Sequence, residues 1–162
     1  MEIRNSKVLD TEEYVSVLKE VIESGKETGI RIAGNSMSPF LAHERDYVYL
    51  KKPDRELKKG DIVFFQRRNG QYILHRICRC TPEGFYIVGD AQMDIEGPVE
   101  RGQIFAIVTK ACRKGKWIQK GDFWWNFFER VWINMIPLRR VVRSMYSHTF
   151  GRMGDSDEGK QK

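Results

Sequence analysis

A serine and a histidine in separate segments of this chain have the types needed for nucleophilic chemistry. Ser36 lies in the turn-like segment 34–39, Gly-Asn-Ser-Met-Ser-Pro, and His75 lies in the apolar segment 73–77, Ile-Leu-His-Arg-Ile. A serine hydroxyl is a poor nucleophile at neutral pH because its proton must leave as the oxygen attacks, so it needs a base within reach. Imidazole, with an ordinary pKa of about 6.5, can accept that proton without a large pKa shift. The pair therefore predicts chemistry at Ser36 with His75 as its general base.

The segments that would position this pair change character near residue 30. Residues 10–24 have apolar side chains at helical spacing, with Asp10 or Thr11 as a cap and Gly25 as the stop. Short β-type runs separated by turn residues follow, and they predict strands at 30–33, 47–50, 62–66, 72–80, 84–88 and 103–110. The segment Arg68-Asn69-Gly70-Gln71 is typical of a hairpin. Closely spaced strands without helices between them predict a mainly β fold, an antiparallel and partly closed β-domain.

The C-terminal part of the chain differs in composition. Residues 113–145 hold eight basic and two acidic residues, which accounts for the whole net charge of +6, and they hold all four tryptophans. Pro137 should break or kink a helix whose apolar face is formed by Phe123, Trp124, Phe127, Phe128, Val131, Trp132, Met135 and Ile136. Three interpretations remain open: packing on the β-domain, peripheral membrane contact through residues 121–148, and nucleic-acid contact. The absence of a base-reading motif disfavours the third.

These patterns divide the chain into four parts. We expect an N-terminal helical segment at 1–29, a β-domain at 30–118, a basic aromatic helical tail at 119–150 and a disordered end at 151–162. The acidic residues within 1–29 do not fit a signal peptide, and the chain has no run of about 18 apolar residues. We therefore expect a cytoplasmic protein, peripheral at the membrane surface if the tail binds lipid. His43, His75 and His148 are scattered, so no metal or other cofactor is expected.

Four short motifs, taken in order, resemble those of signal peptidase I and LexA-like serine peptidases. They are Gly-x-Ser-Met-x-Pro at 34–39, Gly-Asp-Ile-Val at 60–63, His-Arg-Ile at 75–77 and Val-Gly-Asp at 88–90. The resemblance runs from about Ile30 to Val108. It implies a LexA/signal-peptidase-like β-domain and a serine endopeptidase that acts through an acyl-enzyme. In those families the motif serine is the nucleophile, and a lysine usually occupies the place of His75, although some signal peptidases carry histidine there. The implied substrate is an extended peptide paired along a strand edge, with small residues before the cleavage point.

The resemblance also implies a carboxylate that orients His75 and a site for the oxyanion. Asp90, which matches the Gly-Asp of the family's last motif, is our first choice for the carboxylate, Asp94 the second and Glu96 the third. Histidine-type enzymes usually place a second aspartate about six residues after the first, whereas the nearest one here, Asp94, lies four residues after Asp90, so the choice stays open. Signal peptidases often have a serine two residues before the nucleophile, where this chain has Gly34. The oxyanion hole would then depend on backbone N–H groups, above all that of Ser36.

Two other functions follow from the same resemblance. A self-cleaving repressor is disfavoured because only 35 residues precede Ser36 and the single Ala-Gly pair, Ala33-Gly34, lies too close to it. The alternative that remains open is a catalytically inactive module on the same fold, which would bind peptides or associate with a membrane.

Overall fold

The computed structural model describes residues 11–150 of the chain. Helix α1 spans Thr11–Glu23, as its periodicity predicts. The strands that follow are β1 Thr28–Arg31, β2 Tyr47–Lys51, β3 Ile62–Gln66, β4 Tyr72–Thr81, β5 Gly84–Val88, β6 Glu96–Val99, β7 Ile104–Arg113 and β8 Lys116–Gln119. The chain then enters α2 (Phe123–Asn126), a π-helical turn (Phe127–Val131), a 3₁₀ stretch (Trp132–Leu138) and α3 (Arg139–Phe150). Asp10 and the predicted disordered end at 151–162 lie outside the described residues.

All strand pairs are antiparallel and belong to one open sheet. The strand order is β1-β2-β7-β3-β4-β5-β6, and β8 pairs with the end of β7. The predicted mainly antiparallel β fold with helices at both ends is thus confirmed. Strand β6 was not predicted because it contains Gly97 and Pro98, two residues that weaken a strand pattern. The short strand β8 was not predicted either.

Strand β4 bridges two parts of the sheet. Its first half pairs with β3 (Ile62↔Arg76 to Gln66↔Tyr72), and its second half pairs with β5 (Arg76↔Val88 to Thr81↔Gly84). The turn before it is the predicted hairpin, in which the Arg67 N–H donates to the Gln71 carbonyl at 2.8 Å. On the β5 side, residues 72–75 pair with no other described strand. This leaves a short free edge that runs up to His75.

The helices cover the sheet on the side of the larger core cluster. Leu18 and Ile22 of α1 are buried there, as are Trp125, Phe128 and Trp132 of the C-terminal segment. The predicted apolar face of that segment is only partly correct, because Trp125 and Ile133 are buried while Phe123 and Trp124 are 72% and 46% exposed. The reason is the π-helical turn at 127–131, which takes more residues per turn than an α-helix and shifts the buried face. The chain kinks at Met135, just before Pro137, as expected.

No helix within residues 11–150 is both long enough and apolar enough to cross a bilayer.

Candidate active site

The loop that carries Ser36 leaves the sheet after β1 and is held by buried apolar anchors. Met37, Phe40 and Leu41 are almost fully buried, while Ser36 is half-buried. Gly34 enters the turn with a φ of +82°, which favours glycine, and its N–H donates to His43 Nδ1 at 2.9 Å. Ser36 therefore lies in a turn that is fixed by the buried residues that follow it.

A second loop, residues 89–92, lies against the backbone of Ser36. The Ala91 N–H donates to the Ser36 carbonyl at 2.8 Å. A Cβ at Gly89 would lie 2.6 Å from that same carbonyl oxygen, so only glycine allows this approach. The Ser36 N–H makes no hydrogen bond to any described residue, which leaves it available to a ligand oxygen.

His75 projects from the middle of β4, opposite Val63 of β3. Its side chain is 3% exposed and shares a face of the strand with Ile73 and Ile77, as alternation predicts. Burial lowers the pKa of His75; the charge of Glu96 raises it in part, and that of Arg67 lowers it further. The ring is consequently neutral at pH 7, as a general base must be.

Glu96, the first residue of β6, is the carboxylate that meets the imidazole. Its Oε1 lies 3.4 Å from His75 Nδ1, within ion-pair distance although the geometry falls short of a hydrogen bond. The Arg67 guanidinium holds both oxygens of Glu96 at 2.8 Å. Burial raises the pKa of Glu96, but the hydrogen bonds and charge of Arg67 outweigh it, so the pKa lies below its ordinary value. An ionised carboxylate is thus held beside one ring nitrogen.

Asp90 does not make the contact with His75 that we expected. Its two oxygens accept from Arg76 Nε at 2.9 Å and from Arg76 Nη2 at 2.8 Å, and both side chains are fully buried. The physical reason is the alternation of β4, since consecutive residues point to opposite faces of a strand and Arg76 follows His75. Asp94 is exposed and has no ion pair or hydrogen bond to the described residues.

The sequence does contain a signal for Glu96, which we ranked third. Glu96 lies six residues after Asp90, at the spacing where histidine-type enzymes usually have an aspartate, but its residue type differs from theirs.

The structure brings the segments of Ser36 and His75 together at Gly89. Arg76, which follows His75, pairs with Val88, and Val88 precedes Gly89, the glycine that lies against the Ser36 carbonyl. No hydrogen bond joins the Ser36 hydroxyl to the His75 ring. Catalytic hydrogen bonds are often long in a free enzyme and tighten when substrate binds.

Two residues of the C-terminal segment hold the loop 89–92 by hydrogen bonds. Neither residue was predicted from the sequence to lie at the site. Trp132 Nε1 donates to the Asp90 carbonyl at 2.8 Å, and Arg139 Nη1 donates to the carbonyls of Gly89 and Gln92 at 2.9 and 2.7 Å. The Phe40 ring of the serine loop packs on Trp125 and Phe128. The segment therefore holds both loops of the candidate site.

A family model described as Peptidase S24-like matches residues 3–109, more than half of the chain. No curated protein and no solved structure matches this chain.

Proposed function

This chain belongs to the Peptidase S24-like family, and from that premise we propose that it is a serine endopeptidase with Ser36 as nucleophile and His75 as general base. The observation that supports the proposal most is the surroundings of His75: a buried, neutral imidazole with a carboxylate at one nitrogen and, beside its strand, the loop of a serine. A histidine that served only the core would not need the acid that Arg67 holds in place.

In the proposed reaction, Ser36 Oγ attacks the peptide carbonyl while a nitrogen of His75 takes its proton. The carbonyl oxygen becomes an oxyanion that accepts from the Ser36 N–H. As the C–N bond breaks, His75 returns the proton to the leaving amine and the acyl group remains on Ser36. Water then attacks the ester with His75 again as the base, which releases the acid and restores the hydroxyl. Glu96 keeps the proton on Nδ1, so that Nε2 faces the serine, and it stabilises the imidazolium.

The free edge of β4 supports an extended peptide as the substrate. Residues 72–75 have unpaired backbone groups on the side away from β3, and a peptide in β conformation can add to such an edge. A cavity of about 380 Å³ borders this edge, with Arg67, Tyr72 and Ile73 among its lining residues. A side chain of the bound peptide would enter this cavity, while the backbone would lead towards Ser36.

An acyl-enzyme trap tests the proposal. The full chain is incubated with an activated ester of a short peptide, quenched in acid and digested with trypsin, and the fragment 32–45 is sequenced by mass spectrometry. We expect the acyl mass on Ser36 and not on Ser38. Binding of the peptide without acylation at Ser36 would instead support the inactive peptide-binding module.

Substitution of Glu96 by glutamine should change the pH dependence of hydrolysis in a definite direction. The base works only when it is neutral, so the acid limb of kcat/KM follows the pKa of His75. Burial already places this limb below the ordinary histidine pKa of about 6.5. The charge of Glu96 raises the pKa of His75, so removal of that charge should move the acid limb of the pH profile to still lower pH. We also expect kcat/KM to fall by about 10²-fold, because the imidazolium loses its stabilising carboxylate.

The matched control for this pH profile is Asp94→Asn, which removes a nearby but exposed carboxylate. It should leave both the limb and the rate at the wild-type values. An unmoved limb in Glu96→Gln, or an equal shift in Asp94→Asn, would contradict the role given to Glu96.

A further inference from the structure

The C-terminal helical segment also carries apolar side chains that are exposed. Trp124, Val131 and Leu138 follow one another at seven-residue intervals and all three are exposed, Leu138 to 54%. Phe123 and Val141 are exposed beside them. We call these five residues the outer stripe. The buried face of the same segment is formed by Trp125, Phe128, Trp132 and Ile133.

An apolar stripe of this kind needs an explanation, because a helix that packs on a domain usually turns polar residues to water. Single exposed apolar residues are common, but five of them between residues 123 and 141 favour a binding surface. The ring centroids of Phe123 and Trp124 lie 5.2 Å apart, so these two side chains form one aromatic knob.

Basic residues flank the outer stripe. Lys120, Arg130 and Arg140 are exposed, while Glu129 is buried beneath the segment. Between the segment and the loop before β3, a cavity of about 380 Å³ is lined by Lys58, Lys59, Lys120, Glu129, Arg130 and Asn134. Four cations thus face one carboxylate. The ammonium of Lys120 lies so close to Lys58 that it lowers the pKa of Lys58.

We propose that the outer stripe and the basic cavity dock this protein on an anionic membrane surface. The apolar side chains would enter the boundary between headgroups and acyl chains, as they do in interfacial helices. Lipid phosphates would occupy the basic cavity and relieve the repulsion between its cations, an attraction that strengthens binding by roughly fivefold per basic residue. The segment would then lie in the plane of the membrane surface.

The charges distinguish this partner from two others. In a second copy that used the same face, the cations around the stripe would come close to the cations around its partner's stripe, and their repulsion disfavours self-association through this face. A nucleic acid would meet the same cations, and bases could stack on Phe123 and Trp124, but the three aliphatic members of the stripe, Val131, Leu138 and Val141, would stay exposed to water.

Co-sedimentation of the full chain with vesicles tests the proposal. We expect binding to vesicles that contain phosphatidylglycerol, weaker binding to phosphatidylcholine alone, and a decrease with added salt. The double variant Trp124→Ser, Leu138→Ser should bind at least about tenfold more weakly. The thermal unfolding midpoint is measured as well, because Trp124 also contacts the Arg113 guanidinium and the Phe127 ring. The single variant Leu138→Ser, at a side chain that is 54% exposed, should bind more weakly with an unchanged midpoint. The charge variant Lys58→Gln, Arg130→Gln should bind phosphatidylglycerol vesicles at least about tenfold more weakly.

The matched control is Val17→Ser, which removes an exposed apolar residue of α1 and should bind as the wild type does. The proposal is overturned if the wild type ignores phosphatidylglycerol vesicles, or if the stripe variant binds equally well. It is also overturned if sedimentation velocity shows a dimer that the stripe variant abolishes, or if the chain binds single-stranded DNA but no vesicle.

Discussion

Substitution of Ser36 by alanine is expected to lower kcat/KM for peptide hydrolysis by about 10⁴-fold or more, because loss of the nucleophile removes the acyl-enzyme route. The structure indicates that this substitution should not change the stability of the fold. Ser36 is half-buried and its side chain makes no hydrogen bond to a described residue, so the alanine variant should unfold at the wild-type denaturant concentration. The measurement is the initial rate on a peptide that the wild type cleaves, with the fold checked by circular dichroism.

Ser38 provides the matched control for this experiment. It lies in the same turn, is half-buried like Ser36, and loses the same hydroxyl in Ser38→Ala. We expect a change of no more than a few-fold in this variant. If Ser36→Ala and Ser38→Ala lose activity equally, or if Ser36→Ala keeps it, Ser36 is not the nucleophile.

The second large effect is on stability and comes from the buried pair of Arg76 and Asp90. Substitution of Arg76 by methionine should lower the free energy of unfolding by about 3–5 kcal/mol, because it leaves the Asp90 carboxylate buried without its cation. The carbonyl of Gly60 also loses the donor Arg76 Nη1, which lies 3.0 Å away. Denaturation by urea, followed by tryptophan fluorescence, measures the loss.

Two further variants make this measurement decisive. Arg79→Met removes an arginine of the same strand that is exposed and lies over the Tyr86 ring, and it should lose no more than about 1 kcal/mol. The double variant Arg76→Met, Asp90→Leu replaces both charges by apolar groups and should regain much of the stability. A loss below about 1 kcal/mol in Arg76→Met would show that the pair contributes little.

The strands were predictable where the signals are local. Alternation and turn residues predict β3, β5 and the hairpin before β4, since these depend on neighbours along the chain. Strand β6 depends instead on its pairing with β5, which holds Glu96 in a strand despite the glycine and proline that follow it. The buried face of the C-terminal segment depends on a π-helical turn, which no regular spacing predicts.

The candidate site shows the same division. Ser36 and His75 were predictable from short motifs, and the alternation of β4 already placed His75 and Arg76 on opposite faces. The carboxylate beside His75 was not predictable from short motifs. It depends on which acidic residue the fold brings to the His75 face of β4. Asp90 lies near Arg76 and Glu96 near His75, a choice that only the path between β5 and β6 makes.

His75 and Arg76 are consecutive residues of β4, so one strand register places both side chains. A slip of a single residue would turn the guanidinium towards Glu96 and bury the imidazole beside Asp90, which would then lack its cation. A chain with this error would lose the stabilisation of the ion pair together with its base. Molecules with this error would unfold at a lower urea concentration than correctly paired ones, so an early transition in the urea titration of a purified batch would reveal misregistered chains.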